Sequence, residues 1–452
     1  MTRRGAGPAR LVVAGTHSGV GKTTVATGLL AAFAARGRTV AGFKVGPDFI
    51  DPSYHALATG RPGRNLDAFL TGPELLGPLL AHGAAGAALA LGEGVMGLFD
   101  GAAGAGELAS TAQAAKLLRA PVLLVLDCRA MARSAAALLH GYHTFDPELR
   151  VAGVILNRVA SERHEAMLRE ALAPSGVPVV GALRRHRDLA TPERHLGLVP
   201  AAERGAAARR TVAQLGEALA AACDLDAIAA LAAAAPPLAA TPWTPAVKPA
   251  GRARFAVAGG PAFTFVYQEN LELLQAAGAE LAWFDPTADE ALPEGATGLY
   301  LGGGFPESFA AALAANQPLR AAVRAFASSG RPVLAECGGL LYLARSLDGQ
   351  PMAGVVPADA RMSDRLTMGY RHAVAPAPSV LATAGETLRG HEFHYSRLDP
   401  PAGTPAAWLL GDGEGGLGRA DGFAAGGVHA SYLHTHWAAT PRLAERLVRA
   451  AA

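Results

Sequence analysis

Between the apolar run Leu11-Val12-Val13-Ala14 and a helical pattern starting at Val25 stands Gly15-Thr16-His17-Ser18-Gly19-Val20-Gly21-Lys22-Thr23-Thr24. A loop of small residues between a buried strand and a helix start turns several backbone N–H groups towards one point, and the helix dipole adds positive potential there. Such a loop binds phosphate. Gly19 and Gly21 let the backbone approach, Lys22 would neutralise the outer phosphates, the hydroxyl of Thr23 would hold Mg²⁺, and Thr24 belongs to the same nucleotide-binding set. The spacing departs from the strict pattern, because Thr16 stands where a first glycine is usual and Gly15 comes one residue earlier. Strand, loop, Lys-Thr and helix still follow in the required order, which a merely flexible turn does not need.

This loop opens a series. Short apolar strands at residues 39–43, 87–91, 121–126 and 151–156 alternate with helical stretches. The alternation predicts a doubly wound parallel sheet, whose ligands bind beyond the carboxyl ends of the strands. Lys44, Asp48, Asp51, Glu93, Asp100, Asp127 and Asn157 all fall at that end. Glu93 and Asp48 are expected to complete a Mg²⁺ shell, directly or through water, since Mg²⁺ takes a few carboxylates plus phosphate and water. Lys44 is a second cation for a transferring phosphoryl group or an anionic substrate. Asp51 and Asp100 suit either magnesium or substrate, and Asn157 is placed to read an adenine edge. Each of these residue types is also common as a helix cap or in a turn.

The chain has 452 residues, 50% of them hydrophobic, enough for two or three domains with sizeable cores. Its net charge of +2 supplies no general basic field for nucleic acid or a membrane surface. The apolar run behind Arg3, Arg4 and Arg10 breaks at Gly15 before a signal peptide is complete, and no apolar span reaches membrane length. A soluble cytoplasmic protein without nucleic-acid or membrane partners is expected. Cys128, Cys223 and Cys337 lie too far apart to suggest a disulfide framework or a zinc site. Residues 205–235 read as alanine-rich helices, and the prolines from Pro236 to Pro249 mark a linker. The expected domains are therefore 1–235 and 251–452, joined by 236–250.

The C-terminal half restarts with a strand at 254–258. Two of its strand ends carry chemistry. Leu299-Tyr300-Leu301 runs into Gly302-Gly303-Gly304, and Val333-Leu334-Ala335-Glu336 runs into Cys337-Gly338-Gly339. A cysteine between a buried strand and a helix, followed by glycines, fits a nucleophile elbow. The helix N-terminus is expected to lower the thiol pKa. Gly303 and Gly304 are candidates for presenting backbone N–H groups to an oxyanion. A base could come from His429, His434 or His436. Cys128 and Cys223 lack such a setting and read as inert buried thiols.

Five stretches then carry a family resemblance: Lys44-Val45-Gly46-Pro47-Asp48-Phe49-Ile50-Asp51-Pro52, Glu93-Gly94-Val95-Met96-Gly97-Leu98-Phe99-Asp100-Gly101, Ala335-Glu336-Cys337-Gly338-Gly339, Gly390-His391-Glu392-Phe393-His394-Tyr395-Ser396 and Ser431-Tyr432-Leu433-His434-Thr435-His436. The N-terminal half resembles the dethiobiotin-synthetase-like ATPases. The C-terminal half resembles a flavodoxin-like class I glutamine amidotransferase domain. Their order is similar to that of the cobyrinic acid and hydrogenobyrinic acid a,c-diamide synthases. The resemblance implies a glutamine-hydrolysing ligase in cobalamin biosynthesis that uses ATP, Mg²⁺ and glutamine to amidate two acetate side chains of a corrin. It names Cys337 as nucleophile and His434 as the histidine that activates it.

Two departures qualify it. Many class I amidotransferases carry Glu two residues after the catalytic histidine, and here that residue is His436. His17 stands where partition-type ATPases have an extra lysine, which favours metabolic phosphoryl chemistry over a switch. Alternatives are amidation of other corrin carboxylates, as by cobyric acid synthases, or a nucleotide-switch or docking module with a degenerate amidotransferase half. Alanine- and arginine-rich composition suggests a GC-rich genome and tilts the expectation towards cobalt-free hydrogenobyrinic acid. A homodimer is compatible with the sequence.

Overall fold

A computed structural model describes residues 7–185, 205–411 and 418–452, with two short strands between 193 and 198. The chain divides into two compact units, Met1–Thr244 and Pro245–Ala452.

In the first unit β1 (Ala9–Gly15), β2 (Val40–Val45), β3 (Arg64–Leu66), β4 (Leu89–Glu93), β5 (Val122–Asp127), β6 (Val151–Val159) and β7 (Val179–Arg184) form one sheet. All pairings are parallel, in the order β3-β2-β4-β1-β5-β6-β7. β2, β4 and β5 are buried at every residue, the continuous burial that a parallel sheet covered on both faces requires. From β1 the chain moves to one side, and from β4 it crosses to β5 on the other. The carboxyl end of β1 is therefore the switch point of the sheet, where ligands of such folds bind. The helix Lys22–Ala35 begins there.

β8 (Glu193–Arg194) and β9 (Gly197–Leu198) form a small antiparallel ladder, and the helices Ala206–Ala222 and Leu225–Ala233 follow. The proline-rich segment beyond them begins as a strap on the first unit. Arg10, buried at the start of β1, donates to the carbonyls of Leu118, Arg119 and Pro236. Trp243 is buried too, its backbone N–H bonding the carbonyl of Pro78 at 2.9 Å.

The second unit holds two sheets. β10 (Ala253–Ala258), β11 (Ala279–Phe284), β12 (Gly298–Leu301) and β13 (Val333–Glu336) are parallel. A separate sheet contains β14 (Ser346–Leu347), β15 (Gln350–Pro351), β16 (Asp359–Val374), β17 (Thr387–Asp399), β18 (Trp408–Gly411) and β19 (Arg419–Asp421). β20 (Phe423–Ala425) and β21 (Val428–Ser431) return to the parallel layer, giving the order β11-β10-β12-β13-β21-β20, and β22 (His434–Thr435) closes against β17. The doubly wound layer matches the sequence pattern; the long β16–β17 hairpin has no counterpart there. β16 is half-exposed along most of its length, so no alternation of apolar and polar residues announces it.

Candidate active sites

The phosphate loop leaves β1 at Gly15 and enters its helix through Gly21, whose φ of 99° is left-handed. A Cβ there would also stand 2.2 Å from Nδ2 of Asn157. That amide nitrogen donates to the carbonyl of Val20 at 2.7 Å, while Oδ1 accepts from the backbone N–H of Arg158. Asn157 therefore braces the loop through Val20. Lys22 folds back to donate to the carbonyls of His17 and Met96. Burial, then the neighbouring Lys44, push its pKa down to about 8 against the pull of Glu93, Asp51 and Asp100.

Parallel pairing puts Lys44 of β2 beside Glu93 of β4. Glu93 is fully buried, and three side chains donate to it or share a proton with it. Thr23 Oγ1 donates to Oε1 at 2.6 Å, Lys44 Nζ to the same oxygen at 2.9 Å, and His55 Nε2 lies 2.8 Å from Oε2. Lys44 also bonds the carbonyl of Gly94 and pairs with Asp51 at 2.6 Å. Burial alone would raise the Glu93 pKa; Lys44, His55 and Thr23 outweigh it and hold the carboxylate well below its usual range. Burial, then the carboxylates of Asp48 and Glu93, push Asp51 up.

The donor set fits Mg²⁺ in the sparse manner that ion prefers, one hydroxyl and one carboxylate beside nucleotide phosphates. Among the described residues no group of three or more His, Cys, Asp or Glu could hold a metal by itself. Asp48 Oδ1 accepts from the N–H groups of Ile50 and Asp51 at the start of the helix Ile50–Thr59, so one oxygen works as a turn acceptor. Asp100 is exposed and accepts from Gly97 N–H at 2.9 Å, closing a turn. Thr24 is half-buried in the first helical turn. Asp127 faces Arg129 and Arg158.

In the second unit Cys337 follows β13 at φ 48°, a left-handed conformation that a non-glycine residue adopts only when its surroundings impose it. Its N–H bonds the carbonyl of Ser431, and the helix Gly338–Leu343 follows. The expected lowering of the thiol pKa is reversed. Burial, then Glu307, push it up, and a hydrogen bond from Gly338 N–H only opposes this. With six residues, the helix offers little dipole against complete burial.

Glu336 links the nucleophile to the histidine strand: its Oε1 accepts from the backbone N–H and the hydroxyl of Thr435, the residue after His434. His434 is 1% exposed, and burial followed by His391 and His394 holds its pKa well below the usual histidine value. Its ring lies over Gly303, where a Cβ would stand 2.6 Å from Cε1. Gly303 N–H bonds the carbonyl of Phe265 at 2.9 Å, so this expected oxyanion donor is used inside the fold. Gly304 lies against the elbow, its nitrogen 2.9 Å from where a Cβ on Gly338 would be. His429 pairs with the hydroxyl of Ser379, and His436 faces Glu269 at 3.4 Å.

A family model for the CobQ/CobB/MinD/ParA nucleotide binding domain matches residues 11–199, and one for the CobB/CobQ-like glutamine amidotransferase domain matches residues 254–441. The chain is 56% identical to a hydrogenobyrinate a,c-diamide synthase of Streptomyces coelicolor, with 99% of each chain covered. It is 51% identical to the Mycobacterium bovis protein of that name, with 98% of each covered. It is also 43% identical to a cobyrinate a,c-diamide synthase of Synechococcus, over 97% of this chain and 98% of the relative. The chain belongs to the a,c-diamide synthase family.

Among solved structures, PurLQS from Thermotoga maritima covers 44% of this chain and 97% of its own, at 13% identity and a TM-score of 0.33. A likeness that small carries no argument. Family membership settles the architecture of a nucleotide-binding domain followed by an amidotransferase domain. Three residues of this family member are not singled out by sequence reasoning. His55 sits in mid-helix and meets Glu93 only through the fold, while Tyr267 and His391 meet each other across 124 positions. His391 lies inside one of the stretches that carry the resemblance, the one signal pointing to it.

Proposed function

We propose that the chain catalyses ATP- and glutamine-dependent amidation of the a and c acetate carboxylates of hydrogenobyrinic acid, with Cys337 as nucleophile, His434 as its base and the phosphate-loop residues binding ATP. The observation that carries this reading is near-complete coverage, at 51–56% identity, of relatives named for that substrate, against 43% for a relative named for cobyrinate.

A carboxylate is a poor electrophile. In the first unit Lys22 and Lys44 stabilise charge on the γ-phosphoryl group as it passes from ATP to the substrate carboxylate, leaving ADP and an acyl phosphate. Thr23, Glu93 and Asp48 would hold Mg²⁺, which would supply further charge neutralisation at the phosphates. Gly19, Gly21 and Thr24 shape the phosphate cradle, and Asn157 keeps the loop in place. Ammonia then displaces phosphate.

In the second unit His434 takes the Cys337 proton, and the thiolate attacks the carboxamide carbon of glutamine. The C–N bond breaks, ammonia leaves with the proton returned by His434, and water hydrolyses the thioester to glutamate. Among the described residues no helix is long and apolar enough to cross a membrane. A cytoplasmic setting accords with its three free cysteines and with its small-molecule substrates.

Incubation with MgATP and glutamine, offering hydrogenobyrinic acid in one tube and cobyrinic acid in the other, tests the reading by mass spectrometry. Two carboxyl-to-amide conversions at a higher rate on the cobalt-free corrin are expected. A faster reaction on cobyrinic acid would reassign the substrate, and no amide in either tube would end the proposal.

A further inference from the structure

Antiparallel pairing of β17 with β22 sets His391 directly opposite His434. Side chains of directly opposed residues share one face of the sheet and touch. Here the two imidazoles stack, with ring centroids 4.9 Å apart and planes within 18°. Phe265 meets the His434 ring at 4.6 Å and Gly303 lies beneath it. His391 is itself held: its Nε2 shares a hydrogen bond of 2.9 Å with the hydroxyl of Tyr267. The Tyr267 ring in turn lies 4.6 Å from that of His436, whose Nε2 faces the buried carboxylate of Glu269. The result is a buried ladder running from Glu269 through His436, Tyr267 and His391 to His434.

We infer that Tyr267 and His391 are positioning residues that fix the ring plane of His434 for proton exchange with Cys337. The inference rests on the proposed role of His434 as the base. A histidine that must receive a thiol proton and then hand it to departing ammonia has to keep one ring orientation through both steps, and small misplacements of such a group cost rate steeply. In many class I amidotransferases a carboxylate two residues further on does this; here that position is occupied by His436. The stacked plate supplies orientation from the side of the ring. Burial also pushes the His391 pKa down to about 3, against the pull of Glu392.

Glutamine hydrolysis by His391→Ala, His391→Phe, Tyr267→Phe and His434→Asn variants tests this, with kcat and KM for glutamine measured separately and folding followed by thermal melting. His391→Ala is expected to lower kcat ~10- to 100-fold with KM within about twofold of wild type. His391→Phe, which restores a flat ring, should recover part of that loss. Tyr267→Phe, lacking only the hydroxyl, should lose ~3- to 10-fold in kcat. A raised KM at unchanged kcat would mean a looser pocket and overturn the inference, as would a His391→Ala kcat within about twofold of wild type. Should His391→Ala fail to fold, an unchanged kcat in Tyr267→Phe overturns it instead. His434→Asn separates the two levels: if it retains glutamine hydrolysis, the role of His434 itself falls, whereas its inactivity beside a fully active His391→Ala sinks only the positioning role.

Discussion

The two sites handle charge in opposite ways. At the phosphate loop ions are assembled in advance: Lys44 is clamped between Asp51 and Glu93, and Glu93 also takes Thr23 and His55. For Lys44 and Glu93 the partners outweigh burial, so Lys44 stays cationic and Glu93 anionic, whereas burial leads in pushing Asp51 up and Lys22 down. At the elbow burial wins. The Cys337 thiol is pushed up, and the imidazoles of His391 and His434 are pushed down. Phosphoryl transfer brings several negative charges into the site with ATP, and fixed cations and dipoles stabilise them without reorganising. Thiol attack on the neutral side-chain amide of glutamine brings no charge to the reacting group itself. A resting thiol and a resting imidazole are cheaper to bury than a thiolate–imidazolium pair, and the ion pair need exist only while glutamine reacts.

The sharpest way to break this contrast is to disable one site and read both nitrogen sources. Lys22→Ala should lower amide synthesis roughly 10³-fold with glutamine or with ammonium salts, because both routes need the phosphorylated carboxylate. Cys337→Ala should lose glutamine-dependent synthesis to a similar extent, roughly 10³-fold or more, yet keep the ammonia-dependent rate. Equal loss of both activities in Cys337→Ala would mean that the sites are not chemically separable. Glu93→Gln keeps shape and removes the charge at the centre of the first site. A loss of ~100-fold with either nitrogen source is expected, and near-normal rates would show that the Lys44 and Thr23 contacts to the carboxylate are dispensable.

What is legible in the sequence divides along the same line. The phosphate loop and the elbow are contiguous, so glycines, lysine, threonine and cysteine announce them in a few residues. Lys44 and Glu93 stand out as strand-end residues, and the parallel register then brings them together. Residues whose work depends on distant partners are not legible. His55 resembles any mid-helix histidine until Glu93 meets it, and Tyr267 with His391 depends on a hairpin without clear alternation. What surrounds a local motif is not legible either: burial pushes the Cys337 thiol up against the helix dipole, and Gly303 is engaged in an antiparallel bridge to Phe265.

Smaller changes sharpen the contrast. Gly303→Ala would place a methyl group 2.6 Å from Cε1 of His434 and 3.0 Å from Phe265, so the ring must turn. About a tenfold fall in glutamine hydrolysis is expected, with ammonia-dependent synthesis unchanged; unaltered hydrolysis would show that the ring has room to spare. Asn157→Ala removes the brace on Val20 and should raise KM for ATP several-fold with little effect on glutamine hydrolysis. A lowered kcat at unchanged KM would give Asn157 a part in the chemistry instead.

The smallest expected effect is on stability and not on catalysis. Glu336 is the buried carboxyl that joins the two halves of the elbow, and burial pushes its pKa up to about 7 although Thr435 and Tyr300 donate to it. In the unfolded chain the same group titrates near ~4.3. Between those values the folded state binds the extra proton, so folding stability falls as pH rises across that window, and the contribution is fully present only below it. Glu336→Gln cannot ionise, yet its amide oxygen can still accept from Thr435. The difference in melting temperature between variant and wild type should therefore shift in favour of the variant as pH increases from about 4.3 to about 7, and level off above. A difference that stays constant across the window would mean that Glu336 is already ionised in the fold, and that the second site tolerates a buried charge as readily as the first.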